Sequence, residues 1–158
     1  MIWHLLGEMI LAGISSVCFG ILRSTPWKAA IPVAIIGGLD WVFYVVLYYQ
    51  WHWGLGISNM LAAMFISIAS FFTARWMKMP MIAFNMPALA ALVPGGQAYK
   101  VVRYFVLGNY DSSLFFLYQI FIICGAITLG FGLGDVINRA MFFSISRRKK
   151  RAQLRETK

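Results

Sequence analysis

The stretch MPMIAFNMPALAALVPGGQAY, residues 79–99, places Pro80, Pro87 and Pro94 seven residues apart in an otherwise apolar run. Seven residues are close to two helical turns, so the three prolines would fall along one stripe of a helix. Each proline lacks an N–H and crowds the carbonyl four residues before it, which favours a kink or a break. In water such a stretch reads as a loop. Inside a bilayer, irregular backbone survives only where protein buries it or where it lines a polar cavity, and broken helices of this kind hold substrates in transporters.

The rest of the chain places this stretch in a membrane. Of its 158 residues 61% are hydrophobic and 12% charged, and the mean hydropathy is +0.74. Soluble domains average roughly 45–50% apolar and about 25% charged residues. The expectation is an all-α integral membrane protein, residues 1–146, with a basic cytoplasmic tail at 147–158. The N-terminus has no basic n-region, and Glu8 interrupts its apolar run, so it reads as a retained span and not as a cleaved signal.

A crossing helix needs about 20 apolar residues. Residues 2–22, 29–49, 54–74 and 114–134 meet this, and the shorter 79–93 is the open case. Charge decides it. With five crossings, Arg23, Lys28, Arg75, Lys78 and the basic tail share one side, while the other holds the loop at Gln50–Trp53, without Lys or Arg, and the segment carrying Lys100 and Arg103. Lys and Arg mark the cytoplasmic side, so about five transmembrane helices are expected. The fourth is proline-broken, the N-terminus outside and the C-terminus inside. Trp27, Trp76, Tyr48, Tyr49, Trp51 and Trp53 sit at the expected interfaces.

The net charge of +9 does not point to nucleic acid, because seven of the fourteen Lys and Arg lie in the tail beside anionic headgroups. Cys18 and Cys124 lie in apolar runs at no metal-ligand spacing and read as small buried hydrophobes. No metal or cofactor is expected. With no His/Cys cluster and no phosphate-binding glycine loop, neither is an enzyme. Small residues every fourth position, Ala30/Ala34/Gly38 and Ala126/Gly130/Gly134, allow close helix approach, either within the bundle or to another subunit.

Ionisable groups inside a bilayer are functional candidates. Asp40 is the twelfth residue of the 29–49 run, close to the midplane. It reads either as a proton or cation carrier or as a carboxyl hydrogen-bonded to a neighbouring helix. Glu8 lies about two turns into the first span with His4 one turn before it, and a local His4–Glu8 pair is possible on one face. Asp135 and Arg139 have the spacing of a direct helical ion pair.

Pro94 disfavours a helical Val93, Gly95 and Gly96 permit tight or left-handed backbone, and an amphipathic helix is expected from Gln97. Its first N–H groups would carry the positive end of the helix dipole, a natural carboxylate site. Pro94, Gly95, Gly96, Gln97 and Tyr99, with Asn85 deeper, are the candidate substrate-binding residues. Lys100 and Arg103 would draw an anion to the mouth, and Asp40 and Glu8 are the candidates for ion coupling. An interfacial turn with two solvated basic groups fits the same residues.

The run from Pro87 to Pro94-Gly95-Gly96-Gln97-Ala98-Tyr99, after three spans and before a glycine-rich last one, resembles the threonine/serine exporter (ThrE) family, in its short, YjjB-type membrane subunit. The resemblance implies one half of a secondary exporter of small carboxylate-bearing metabolites, threonine and serine or dicarboxylates such as succinate, in the bacterial cytoplasmic membrane. It further implies a larger membrane subunit as partner. A homo-oligomer, a non-transporting scaffold subunit that stabilises a partner, and a small channel are the alternatives.

Overall fold

A computed structural model of the chain describes the backbone of residues 2–156 and the side chains of residues 3–141. It is built of helices: α1 (Ile2–Leu22), α2 (Ala30–Val45, entered by a 3-10 turn at Trp27–Ala29 and extended by a π-turn at Val46–Gln50), α3 (Leu55–Met77), α4 (Ile82–Leu89), α5 (Gly95–Val106) and α6 (Tyr110–Glu156). Four helical segments, of 20, 24, 23 and 32 residues, are long and apolar enough to cross a membrane. The basic side chains of the tail lie outside the described residues.

The ends of α1, α3 and α5 share one chemistry. After α1, Ser24 takes a left-handed conformation and the Thr25 N–H donates back to Gly20 O at 2.9 Å. After α3, Lys78 is left-handed and the Met79 N–H donates to Ala74 O at 3.0 Å. Gly108, at φ 74°, does the same for α5, with the Asn109 N–H donating to Tyr104 O. This i→i−5 closure over a left-handed residue satisfies the last carbonyls of a helix. Pro26 and Pro80, two residues beyond the first two caps, then prevent the helix from resuming.

Polarity is distributed inside out. Ser16, Asp40, Ser58, Asn59, Ser67, Ser70 and Asn138 are buried, whereas Ile10, Ile14, Ile31, Ile35, Phe121, Leu129 and Val136 are exposed. A water-soluble fold would reverse this pattern; a multi-pass membrane protein requires it. The core gathers Val33 and Ile36 of α2, Ala62 and Ile66 of α3, and Phe84, Ala88 and Leu92 from the α4 region. Although α4 has eight residues, about 12 Å at 1.5 Å per residue, it sits at the centre of the packing, with Phe84, Pro87 and Ala88 buried.

Both small-residue stripes are used within the chain. A Cβ on Gly13 would lie 2.9 Å from Ala34 O, and one on Gly38 2.8 Å from Met9 O, so α1 and α2 run antiparallel in backbone contact. Gly56 faces Ile122, Gly130 faces Met60 and Ala63, and Gly134 faces Ser67. Both numberings rise together, so α3 and α6 are parallel. The chain between them must therefore return along the bundle. It does so in two pieces: α4 starts beside Phe131 and Asp135, the turn after it reaches Ile123, and α5 ends with Phe105 against Tyr110. From Asp135 back to Tyr110 this covers roughly 37 Å of helix rise.

Several local expectations are corrected. Cys18 and Cys124 are exposed on the apolar outer surface, not buried. Asp135 does not pair with Arg139 but accepts a hydrogen bond from Ser67 Oγ on α3 at 3.2 Å. Glu8 pairs not with His4 but with Trp41, whose Nε1 donates to Glu8 Oε2 at 3.3 Å. In each case a group on a neighbouring helix is better placed than the one four residues away. Finally, α5 begins at Gly95 and not at Gln97, and neither Gly95 nor Gly96 has a positive φ.

Candidate functional site

Pro94, with φ −75° and ψ 51°, ends the run of turns after α4 and caps α5 without a side-chain hydrogen bond. The Gly95 N–H turns back to Val93 O at 2.7 Å, and Ala98 N–H opens the helical ladder on Pro94 O at 3.0 Å. The amides of Gly96 and Gln97 precede that ladder, and they carry the positive end of the α5 dipole.

These residues border a cavity of about 330 Å³, where Pro94, Gly96 and Gln97 meet Trp41 and Tyr44 of α2 and Asn59 of α3. Asn59 is buried, donates from Nδ2 to Leu55 O at 2.7 Å, and also hydrogen-bonds through its side chain to the Tyr44 hydroxyl, so α2 and α3 are joined by a polar contact at the cavity wall. Trp41 presents its ring here while its Nε1 reaches Glu8. On the far side of Trp41 and Ala91 a recess of about 280 Å³ is lined by Glu8, Ala12 and Ser15. The two spaces share those walls, so Glu8 stands one side chain removed from the cavity at Pro94.

The other expected site residues are placed as follows. Asp40 is 0% exposed, and neither of its carboxylate oxygens has a hydrogen-bond partner. It lies one turn before Tyr44 on α2 and lines neither space. Tyr99, Lys100 and Arg103 are exposed on α5, which carries them away from the cavity; Lys100 Nζ stands 5.0 Å from the centre of the Phe116 ring. Asn85 belongs to a separate cavity at the other end of α4, with Met81, Phe131 and Asp135. Trp41, Tyr44 and Asn59 are not singled out by the sequence. The one signal it offers for them is an uncharged amide in the middle of an apolar run.

A further cavity, about 440 Å³, lies between α1 and α2 around Gly13 and Gly38. Its walls are almost wholly apolar, so it suits hydrocarbon better than a charged metabolite. Among the described residues no three His, Cys, Asp or Glu stand together to hold a metal ion.

No solved structure matches the chain. A family model described as Threonine/Serine exporter, ThrE, matches residues 8–137 and so reaches into all six helices. With most of its length covered by that match, the chain belongs to the threonine/serine exporter family, ThrE, a family of membrane exporters and not of enzymes.

Proposed function

We propose that this chain is one membrane half of a secondary exporter of small carboxylate-bearing metabolites, threonine and serine or dicarboxylates such as succinate. It works in the bacterial cytoplasmic membrane beside a larger subunit that carries the other half. The observation that carries this reading is the cavity at Pro94. The unladdered amides of Gly96 and Gln97 meet a buried Asn59 and the aromatic walls Trp41 and Tyr44 there. Its volume falls among small-molecule sites of roughly 300–1,000 Å³. A helix N-terminus supplies the positive potential that a carboxylate needs without placing a full charge in the membrane.

In this reading α4, the turn and α5 together make the fourth of five crossings, broken at Pro94. The parallel run of α3 and α6 supports it, because a chain entering α6 on the side where α3 began must first come back. The Lys and Arg distribution supports an outside N-terminus and an inside C-terminus, which puts the cavity toward the outer side. Asp40 or Glu8 couples a proton to export: Glu8 through its bond to Trp41, Asp40 from within the core below Tyr44.

The test is exchange of labelled threonine and succinate in liposomes holding this chain with its partner. Export is expected to need both chains. Asn59→Leu and Gln97→Leu are expected to lower it while leaving membrane insertion intact. If both variants transport at the parental rate, the cavity is not the site.

A further inference from the structure

The last helix carries charge on a face that the rest of the chain leaves bare. Asp135 and Arg139 are both exposed, one turn apart, near the end of a segment long and apolar enough to cross the membrane. Ser67 Oγ occupies one oxygen of Asp135 at 3.2 Å, and among the described residues nothing bonds the other. Arg139 has neither a hydrogen bond nor an ion pair among the described residues. Charged groups in a membrane helix are costly to leave facing lipid and pair where they have the chance.

Followed back along α6, this face is a narrow stripe. Phe121, Gly125, Thr128, Gly132, Asp135 and Arg139 alternate in steps of four and three, so at roughly 100° per residue they lie within about 80° of one another. All six are exposed, while Gly130 and Gly134, on the opposite side of the helix, meet α3. A Cβ on Gly125 or Gly132 would find nothing within 4 Å. Glycine inside a helix costs roughly 0.5–1 kcal/mol relative to alanine, and packing within this chain offsets none of that here. Thr128 Oγ1 donates to Cys124 O at 2.8 Å, so its hydroxyl is satisfied and it serves as a further small side chain.

We infer that this stripe is the contact between two copies of the chain, packed through parallel α6 helices about a two-fold axis along the membrane normal. Copies inserted the same way present parallel helices, and a strict seven-residue repeat winds such helices left-handed around each other. Gly125 and Gly132 let the two backbones come close. The charges name the occupant. In a seam of this register a side chain packs beside the next layer of the facing helix, so each Asp135 stands beside Arg139 of the second copy. A two-fold contact makes that pair twice, because a face with one charge of each sign is complementary to itself. Glycines alone would accept any smooth helix; the paired charges select this one.

The inference does not rest on the cavity at Pro94, because pairing is read with no substrate present and either property can fail while the other stands. The experiment is oxidative cross-linking of the full chain in bacterial membranes, at one cysteine introduced beside Cys18→Ser and Cys124→Ser. Thr128→Cys is expected to give a cross-linked dimer, and Leu133→Cys, exposed on another face of α6, none. Gly132→Leu abolishes the dimer and leaves the chain's own packing alone, since the new side chain enters open space. Asp135→Arg and Arg139→Asp, each by itself, lower the yield about tenfold or more, because like charges then face each other. Ser67→Ala removes the same bond from Asp135 within the chain and leaves the yield unchanged. The decisive arm co-expresses the Asp135→Arg chain with the Arg139→Asp chain under different tags. Each charge then meets its opposite across the seam, and mixed dimers return to the parental yield. Four results would overturn the assignment: no dimer at Thr128→Cys, an equal dimer at Leu133→Cys, mixed dimers no more abundant than those of either variant alone, or transfer of the Thr128→Cys cross-link to a co-expressed larger subunit, which would give the face to that subunit.

Discussion

Along the seam of α3 and α6, Gly130 and Gly134 lie where any side chain would strike the neighbouring helix, while Gly95 and Gly96 at the start of α5 face open space. The same residue type thus answers to two different demands. At the seam the demand is steric, because a Cβ on Gly130 would run into the Met60 carbonyl. At the motif neither crowding nor a positive φ calls for glycine in this conformation. Fold explains the first pair. In the proposed site the second pair would serve what approaches or moves at the cavity, and this contrast can be broken at four points.

The largest effect is expected at the seam. Gly130→Leu forces α3 and α6 apart, since the obstacle is a backbone carbonyl and not the end of a flexible side chain. Overpacking of this kind costs about 1–3 kcal/mol and sometimes more; the upper end is expected here, read as reversible unfolding in mixed micelles. Gly134→Ala, which meets the Ser67 side chain, should cost less. Parental stability in Gly130→Leu would dissolve the contrast.

Asp40 comes next, with the opposite sign. Its carboxyl is wholly buried and neither oxygen has a partner, so Asp40→Leu removes an unsatisfied polar group and breaks no bond. Stability should rise by about 1–3 kcal/mol while gradient-driven export is lost. A gain in stability with retained coupled export would move the coupling role to Glu8. A loss of stability would show that Asp40 serves packing after all.

These two positions also show how far the sequence can be read. Apolar run lengths and the charge of the loops locate α1, α2 and α3 well, because Pro26, Pro80 and the left-handed caps before them punctuate the chain locally. The α5–α6 hairpin is harder. Lys100, Arg103, Asn109 and Asp111 interrupt the apolarity that marks a span, so α6 begins at Tyr110 and not at residue 114. In a membrane, core-facing and lipid-facing positions are both apolar, and the exposure of Cys18 and Cys124 is invisible for that reason. The Pro94 motif is legible as a break, yet its partners Trp41, Tyr44 and Asn59 depend on the rotation of α2 and α3. Asp135 illustrates the same limit: the i, i+4 spacing to Arg139 is local information, and the Ser67 hydroxyl that takes its place is tertiary.

A smaller effect is expected from the cavity walls. Asn59→Leu and Gln97→Leu each remove one polar contact from a transported carboxylate. A tenfold lower rate corresponds to about 1.4 kcal/mol, a reasonable scale for one such hydrogen bond. Measured beside Gly130→Leu, these variants should separate the two regions cleanly: transport falls with little change in unfolding at the cavity, and both fall together at the seam.

The smallest change in stability, and the sharpest use of the comparison, is Gly95→Ala. Gly95 lies in the first turn of α5 with negative φ, and a methyl on its Cα would meet nothing within 4 Å. Alanine restricts the unfolded chain more than glycine does, so the fold should gain up to about 0.5–1 kcal/mol. If glycine is kept there for packing, export should be unaffected or improved along with stability. If it is kept so that a substrate can approach the amides of Gly96 and Gln97, or so that the turn can change shape during transport, export falls although the protein is more stable. Stability and activity moving in opposite directions at Gly95, but in the same direction at Gly130, is the result expected when one glycine pair belongs to the scaffold and the other to the transport cycle.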